Sequence, residues 1–277
     1  MGVVITENRI VPAWLAAVAY LERHGCRYRN MLVEIEEPSL INDADRRVIH
    51  LVDDALRQHC DTSVLTVAGT IFPQAFYKRY GAAGLAEHFL SVMSTAKKRG
   101  TWGTYAMRLM NRPGKTAHET INPLELLVAK LKHAAGTGNA FVSNYELGVH
   151  EASDLLYSEP YFCDIPLYDP AQDSAKIQNQ PCLSHLSFKL VDKEELELTA
   201  IYRSHYYAQR ALGNFIGLCH LMNFVAAEVG VRSGRLTCIS TDAHMDYESW
   251  GGSRIGKGVM QGIHAVAARS QTGGEAE

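Results

Sequence analysis

The feature that most constrains the fold is the apolar segment 207–230, which reads YAQRALGNFIGLCHLMNFVAAEVG. Its apolar residues recur every three or four positions, so they form one face of a helix. This face contains Phe215, Leu218, Met222, Val225 and Val229. Gly230 follows as a natural C-terminal stop, because glycine adopts the left-handed conformation that often ends a helix. We therefore predict a long helix buried in the core of the protein.

The part of the chain before this helix mixes helical and extended patterns. Helical spacing is found in AWLAAVAYLERHG, ADRRVIHLVDDALRQHC, AGLAEHFLSVMSTAKKRG and INPLELLVAKLKHAAG. Strands are predicted for NMLVEIE, SVLTVAGTIF and TWGTYAMRLMN. Alternation of this kind is typical of α/β proteins, in which helices cover a sheet.

The C-terminal half adds strands to this pattern. Residues 136–180 are rich in proline and polar residues, which indicates loops. LSHLSFKLV and ELELTAIY both alternate and are joined by a polar DKE turn, so they predict a hairpin, and RLTCIST predicts a further strand. We expect a single domain over 1–265 and a polar, disordered tail over 266–277.

Composition restricts the class of partner. The 277 residues include 27 Lys plus Arg and 30 Asp plus Glu, so no excess of positive charge favours nucleic acid or an anionic membrane. The opening segment does not resemble a signal peptide, and six cysteines without a CxxC pair indicate free thiols in a reducing compartment. These patterns predict a cytoplasmic protein with no metal site.

Cys182 is the first candidate for chemistry. It directly follows Pro181 at the start of the alternating strand, in QPCLSHLSFKL. A lone cysteine in such a protein is more often an inert buried residue than a nucleophile. Pro181 fits either reading, because it suits a thiol at the edge of a pocket and a plain edge strand equally well. The residue alone leaves both interpretations open.

Two arginine-containing segments are candidates for phosphate binding. Arg203 and Ser204 end the second hairpin strand, and a guanidinium beside a hydroxyl suits the oxygens of a phosphate monoester. Arg99 begins the loop RGTWGT, whose glycines allow the backbone to approach an anion closely. The alternative for Arg203 is a solvated surface arginine, and the alternative for the loop that begins at Arg99 is a simple tight turn.

Polar residues near the core helix form the last group of candidates. Asn214 lies inside the apolar helix, where its amide must find partners, either in helix packing or at the edge of a bound heterocycle. Asp242, His244 and Asp246 cluster at the end of the RLTCIST strand, where α/β proteins often collect their sites. A metal pair is a weaker alternative for that cluster.

The order and spacing of these residues resemble the thymidylate synthase and pyrimidine-nucleotide hydroxymethylase family. The family has a proline-cysteine at a strand start, an arginine-serine about twenty residues later, an asparagine eleven residues beyond that arginine, and a GDAH-like segment. Those features correspond to Pro181-Cys182, Arg203-Ser204, Asn214 and Asp242-Ala243-His244. Upstream, the loop with Arg99 and the NPLELL helix with Glu125 resemble the family more weakly. Residues 1–98 form a divergent N-terminal part.

The resemblance implies a thymidylate-synthase-like α+β fold with a mixed sheet covered by helices, a homodimer and a folate-dependent reaction. Cys182 would add to carbon 6 of a pyrimidine nucleotide, and 5,10-methylenetetrahydrofolate would supply one carbon to position 5. Glu125 would handle protons through ordered water. Phosphate binding would fall to Arg99, Arg203 and Ser204, base recognition to Asn214, and contact with the ribose to His244. Asp242 would be a further substrate-binding residue.

Departures from the family pattern favour a 5-hydroxymethylase, similar to the CMP hydroxymethylases of nucleoside-antibiotic pathways. The family's tryptophan for hydride transfer is missing from its usual place, so water could reach the exocyclic methylene. Asp246 replaces a sugar-contacting tyrosine, which suggests a ribonucleotide. Leu183 and Tyr206 replace a histidine and an aspartate, and no arginine lies between Arg112 and Arg203, where the family has its partner-subunit pair.

The expected substrate is therefore CMP or dCMP. The alternatives are a 5-methyltransferase on dUMP or UMP and a non-catalytic nucleotide-binding relative. Retention of both Cys182 and Glu125 argues against the binding relative. A thiol hydrolase using Cys182 and His185 is disfavoured, because residues three apart on a strand face opposite sides.

Overall fold

The computed structural model describes residues 2–96, 103–114, 119–136, 164–167 and 181–272. Its helices are α1 (Ile10–Arg23), α2 (Asp43–Cys60), α3 (Val64–Ile71), α4 (Gln74–Ala96), α5 (Tyr105–Met110), α6 (Pro123–Gly136), α7 (Leu212–Val229) and α8 (Ser253–Thr272). Its strands are β1 (Val3–Glu7), β2 (Arg27–Ile35), β3 (Arg112–Pro113), β4 (Thr120–Ile121), β5 (Asp164–Pro166), β6 (Leu183–Val191), β7 (Glu195–Tyr202), β8 (His205–Tyr206) and β9 (Arg232–His244). A π-helical turn, Tyr207–Ala211, leads into α7, and a 3₁₀ turn, Tyr247–Trp250, precedes α8.

Seven strands form one sheet in the order β1-β2-β9-β7-β6-β5, with β8 beside β9. β9 runs antiparallel to β2 and parallel to β7 and β8, and β6 and β7 form the predicted antiparallel hairpin. The sheet is therefore mixed. This confirms the predicted mixed sheet covered by helices and is consistent with a thymidylate-synthase-like α+β fold.

Helix α7 is the predicted core helix. Most of its residues are buried, and it packs against α1, α3 and α6 as well as β7 and β9. The stretch Tyr207–Val229 is the one helix of the described residues that is long and apolar enough to cross a bilayer. Because 72% of its most apolar window is buried inside the fold, core packing accounts for that composition.

Two predicted strands are helices, so those predictions are wrong. The SVLTVAGTIF segment forms α3, where Ser63 caps the N-terminus by accepting a hydrogen bond from the Thr66 N–H. The TWGTYAMRLMN segment contains α5, which begins after Thr104, whose hydroxyl accepts from the Met107 N–H. In both cases a cap and helix-helix packing outweigh the β propensity of branched and aromatic residues.

Two further differences lie at the ends of the described chain. VVITE, for which the sequence analysis predicts no strand, forms β1 and pairs in parallel with β2. The predicted disordered tail, 266–277, is helical as far as Thr272, because α8 continues through it. The helix-favouring residues Ala267 and Ala268 lie within that extension.

Glycines allow α3 and α7 to approach each other closely. A Cβ built on Gly217 would lie 2.6 Å from the carbonyl oxygen of Ala68, and one built on Gly213 would lie 2.6 Å from Cβ of Val67. Neither distance is compatible with the present helix separation. The position of Asn214, which follows Gly213, therefore depends on glycine at this crossing.

Replacing Gly217 by alanine is expected to lower the free energy of unfolding by about 1–3 kcal/mol, because overpacking outweighs the gain in helix propensity. Urea denaturation measures this. Gly262→Ala is the matched control, since a Cβ there meets nothing within 4 Å and should stabilise α8. Equal effects of the two substitutions would contradict the packing argument.

Candidate active site

The backbone of Cys182 is fixed by two neighbouring elements. The N–H groups of Cys182 and Leu183 both donate to the hydroxyl of Tyr105 on α5, at 3.1 and 3.2 Å. The Arg203 N–H donates to the Cys182 carbonyl at 2.9 Å, which extends the pairing of β6 with β7 by one step. These bonds hold the cysteine at the entry of β6.

A change of register follows Cys182 directly. Leu183 pairs with Tyr202, whereas the next paired residue, His185, is opposite Ile201, so the strand is irregular at Ser184. Irregularities of this kind redirect side chains next to functional sites. Leu183, at the position of the family's histidine, is fully buried.

Tyr105 is a site residue outside the predicted set. The segment that contains it is predicted as a strand, whereas helix α5 brings the Tyr105 hydroxyl to the start of β6. Burial raises the pKa of Tyr105 to about 12, so the phenol stays protonated near neutral pH. The hydroxyl oxygen can therefore keep accepting from both backbone N–H groups.

The thiol of Cys182 is partly buried, and the positive charges of two arginines act on it. Burial raises its pKa, and the charges of Arg203 and Arg210 lower it. Both arginines are exposed, and Arg203 also donates to the carbonyl of Pro181. Burial has the larger effect, so the thiol form predominates near neutral pH.

Arg210 is the second residue that sequence reasoning missed. It lies on the π-helical turn that leads into α7. Such turns are rare and often occur at functional sites. Arg210 has no ion-pair partner among the described residues, so its guanidinium is available to an anionic ligand.

Replacing Arg210 by glutamine is expected to slow alkylation of Cys182 at pH 8 by about two- to fivefold, the effect of removing one exposed charge that favours the thiolate. The reaction is followed with iodoacetamide by mass spectrometry of the Cys182 peptide. The rates should converge at higher pH, because the thiol is then largely ionised whether or not the cation is present. Arg254→Gln, which removes an exposed charge from α8, is the control, and an equal effect there would contradict the assignment.

Asn214 lies at the start of α7 and is 5% exposed. Its amide nitrogen lies 3.1 Å from Nε2 of His205, which is on β8. Nδ1 of His205 lies 2.9 Å from the hydroxyl of Ser240 on β9. His205 was not among the predicted site residues, since no local pattern connects it with Asn214.

Asp242 and His244 lie together, as predicted, on β9. Arg27 at the start of β2 donates to both carboxylate oxygens of Asp242, at 2.9 and 2.6 Å, and Nε2 of His244 lies 3.0 Å from one of them. The hydrogen bond from Arg27 lowers the pKa of Asp242. Asp242 is therefore a charged group that orients His244.

Asp246 holds two turns, the π-helical turn through Ala208 and the 3₁₀ turn through Ser249. Its carboxylate accepts from the Ala208 N–H at 2.9 Å and from the Ser249 hydroxyl at 2.6 Å. Burial raises its pKa despite these bonds. Both oxygens thus already have a partner in the fold.

The remaining predicted residues are less constrained by contacts. Ser204 is partly exposed in the turn between β7 and β8. Glu125 is exposed in the first turn of α6, where its N–H donates to the side chain of Asn122 at 3.2 Å. Arg99 lies outside the described residues.

The strand order brings most of these residues to one end of the sheet. Cys182 precedes β6, Arg203 follows the antiparallel neighbour β7, and β9, which ends at His244, runs parallel to β7. Residue Tyr206 of β8 pairs with His244. The described residues contain no group of three His, Cys, Asp or Glu placed to hold a metal ion.

Three known proteins illustrate the similarity of this chain to other sequences. A protein of Methanosarcina mazei named "Putative thymidylate synthase" is 28% identical over 147 residues, which cover 53% of this chain and 54% of that protein. A Methanococcoides burtonii protein of the same name is 28% identical over 158 residues, 57% of this chain and 59% of that protein. One from Methanothermobacter thermautotrophicus is 40% identical over 78 residues, which cover 28% of this chain and 34% of that protein.

The matched regions thus span a little over half the length of the first two relatives. No protein-family model matches the chain. Together with the fold, the three similarities support a thymidylate-synthase-like family for this protein.

Proposed function

We propose that the protein is a folate-dependent one-carbon transferase that acts at position 5 of a pyrimidine nucleotide. The observation that carries the proposal is the fixed position of Cys182, which Tyr105 and Arg203 hold at the entry of β6 and whose pKa is lowered by the charges of Arg203 and Arg210. Among the described cysteines, Cys182 is the one whose pKa is lowered by the charges of two arginines, whereas Arg210 alone has this effect on Cys60. The relatives named thymidylate synthase support the same reaction class.

Cys182 would act as the nucleophile. Its thiolate would form a bond to carbon 6 of the base, and the electron pair of the 5,6 double bond would move onto carbon 5 and the adjoining carbonyl or imine. Arg203 and Arg210 favour the thiolate that this step requires. Expulsion of the thiolate from carbon 6 would later restore the double bond and release the product.

The cosubstrate 5,10-methylenetetrahydrofolate would supply the one-carbon unit. The available donors fit an anionic molecule of this kind, because Arg210 is exposed and without an ion-pair partner among the described residues. Glu125 would move protons at position 5 through water, for which its exposed place in the first turn of α6 leaves room.

Arg203 and Ser204 would bind the phosphate, with Arg99 contributing from outside the described residues. His244, oriented by Asp242, would contact the sugar. A sugar contact is better supported for His244 than for Asp246, because both carboxylate oxygens of Asp246 accept hydrogen bonds within the fold. We propose that Asp246 chiefly holds the π-helical turn that carries Arg210.

Hydroxymethylation of CMP or dCMP is the specific reaction that we favour. The described tryptophans support it, because Trp14 and Trp250 are fully buried core residues and neither is available to shield an exocyclic methylene from water. A methylase would instead deliver hydride to that carbon. The two products differ by one oxygen atom.

Mass spectrometry of products from CMP, dCMP, UMP and dUMP, each incubated with methylenetetrahydrofolate, tests the proposal. We expect a 5-hydroxymethyl product from a cytosine nucleotide. A methyl product would overturn hydroxymethylation but not the reaction class. If no nucleotide is converted while binding is detected, the protein is a nucleotide-binding relative.

We also propose that the protein forms a homodimer through the sheet face opposite the core helix. Residues that alternate with the buried ones remain partly exposed along three adjacent strands, among them Leu32, Ile201 and Ile239. A dimer with two-fold symmetry buries the same patch of both subunits, which this partly exposed apolar face would supply. Sedimentation equilibrium should give a dimer mass, and Ile239→Arg should shift it to monomer.

A further inference from the structure

A buried hydrogen-bond network lies directly behind Asn214. It runs from Asn214 through His205 to Ser240 and the hydroxyl of Tyr207, and joins α7, β8, β9 and the π-helical turn. Each of the four residues is at most 5% exposed. The imidazole of His205 also stacks on the Tyr202 ring, with centroids 4.0 Å apart and planes 5° apart. His205 therefore has little rotational freedom.

The neutral imidazole of His205 has one donor and one acceptor. Nδ1 faces Ser240 and, at 4.0 Å, Sγ of Cys238, whereas Nε2 faces Asn214. Burial lowers its pKa to about 3, so the imidazole is neutral at physiological pH. When Nδ1 donates to Ser240, Nε2 must accept, and the group it meets is the amide nitrogen of Asn214. The tautomer of His205 and the orientation of the Asn214 amide are thus coupled.

This coupling decides which end of the amide is left for a ligand. With Nδ2 turned toward His205, Oδ1 of Asn214 has no hydrogen-bond partner among the described residues. Oδ1 is therefore the end of the amide that remains for a ligand. A ligand that donates a hydrogen bond to this oxygen would satisfy the amide at both ends.

We propose that His205 is a positioning residue that presents Oδ1 of Asn214 to position 4 of the base, so that the site prefers cytosine over uracil. The inference rests on the proposed function, in which Asn214 reads the base. Cytosine carries an amino group at position 4, which donates to Oδ1. Uracil carries a carbonyl oxygen there, which would face Oδ1 with no proton between the two oxygens.

The ratio of dissociation constants for CMP and UMP tests this directly. Wild-type protein should bind CMP more tightly by about tenfold or more, the expected cost of leaving one buried acceptor unsatisfied. His205→Phe keeps an aromatic ring against Tyr202 and removes both nitrogens, which frees the amide to rotate. Its preference should fall to within about threefold.

Two companion variants separate positioning from general loss of packing. Tyr207→Phe removes a hydroxyl from the same network without touching Asn214, so the binding ratio should not change. His205→Gln restores a partner for the amide and should recover part of the preference, and it serves as the test if His205→Phe does not fold.

Equilibrium binding distinguishes this inference from the proposed function. If wild-type protein binds neither nucleotide, the proposed function itself fails. If wild-type protein binds both but shows no preference, or prefers UMP, the role of His205 is overturned. The same holds if the preference survives unchanged in both His205 variants.

Discussion

Replacing Cys182 by serine is expected to reduce release of tritium from position 5 of a labelled pyrimidine nucleotide by about 10³-fold or more, the scale of losing an enzyme nucleophile. Addition of the thiolate at carbon 6 makes carbon 5 basic. That carbon takes a proton from solvent and then loses the triton, so exchange needs no folate. The rate in wild-type protein should rise between pH 7 and 9, because burial raises the thiol pKa and the thiolate is the reactive form.

Cys60 provides the matched control for this experiment. It is also partly buried with a raised pKa, and its thiol donates to the carbonyl of Ser249 at 3.0 Å, a bond that a serine hydroxyl can replace. Cys60→Ser should therefore leave exchange unchanged. Equal loss in both variants would indicate damage to the fold, and full exchange in Cys182→Ser would exclude Cys182 as the nucleophile.

Local patterns were sufficient to predict the frame of the candidate site. Alternation in LSHLSFKLV and ELELTAIY predicted the hairpin, and in that hairpin Cys182, before one strand, and Arg203, after the next, are neighbours. The helical spacing of the apolar residues in α7 likewise predicted a core helix. These features depend on side-chain spacing, which the sequence displays directly.

Features that depend on contacts between distant segments were not predictable. α3 is helical although its valines and threonines favour strands. Ser63 caps it, and the glycines of α7 leave room for it to pack closely. The hydrogen bond between the Cys182 N–H and the Tyr105 hydroxyl joins residues that are 77 positions apart in the chain. In addition, Tyr105 lies on a segment that was predicted as a strand and forms a helix. Nothing in the local sequence indicates such a pair.

The contacts also change the interpretation of single residues. The position of Asp246 in the family motif favours a sugar contact, but both of its carboxylate oxygens accept hydrogen bonds from other residues of the fold. His205 carries no motif and nevertheless touches Asn214. A motif assigns positions along the chain, whereas hydrogen bonds decide which atoms remain available to a ligand.

Replacing Glu125 by glutamine is expected to slow tritium release by about 10²- to 10⁴-fold, the usual contribution of a general acid-base group. Glu125 begins the helix α6, which packs against α5 and α7, the elements that carry Tyr105 and Asn214. Glutamine keeps the size of the side chain and its hydrogen-bonding capacity but cannot exchange a proton. The rate of exchange at fixed pH, with saturating nucleotide, measures the effect.

Helix α6 offers a purely structural alternative for Glu125. A carboxylate in the first turn interacts favourably with the helix dipole, which contributes about 0.3–1 kcal/mol to stability. If that were its only role, Glu125→Gln would lower the free energy of unfolding by this amount and leave exchange intact. Glu87→Gln, an exposed substitution on α4, controls for loss of surface charge. Slow exchange in the Glu125 variant alone, with nucleotide binding retained, would assign proton transfer to this residue, because neither the dipole nor the net charge acts on carbon 5.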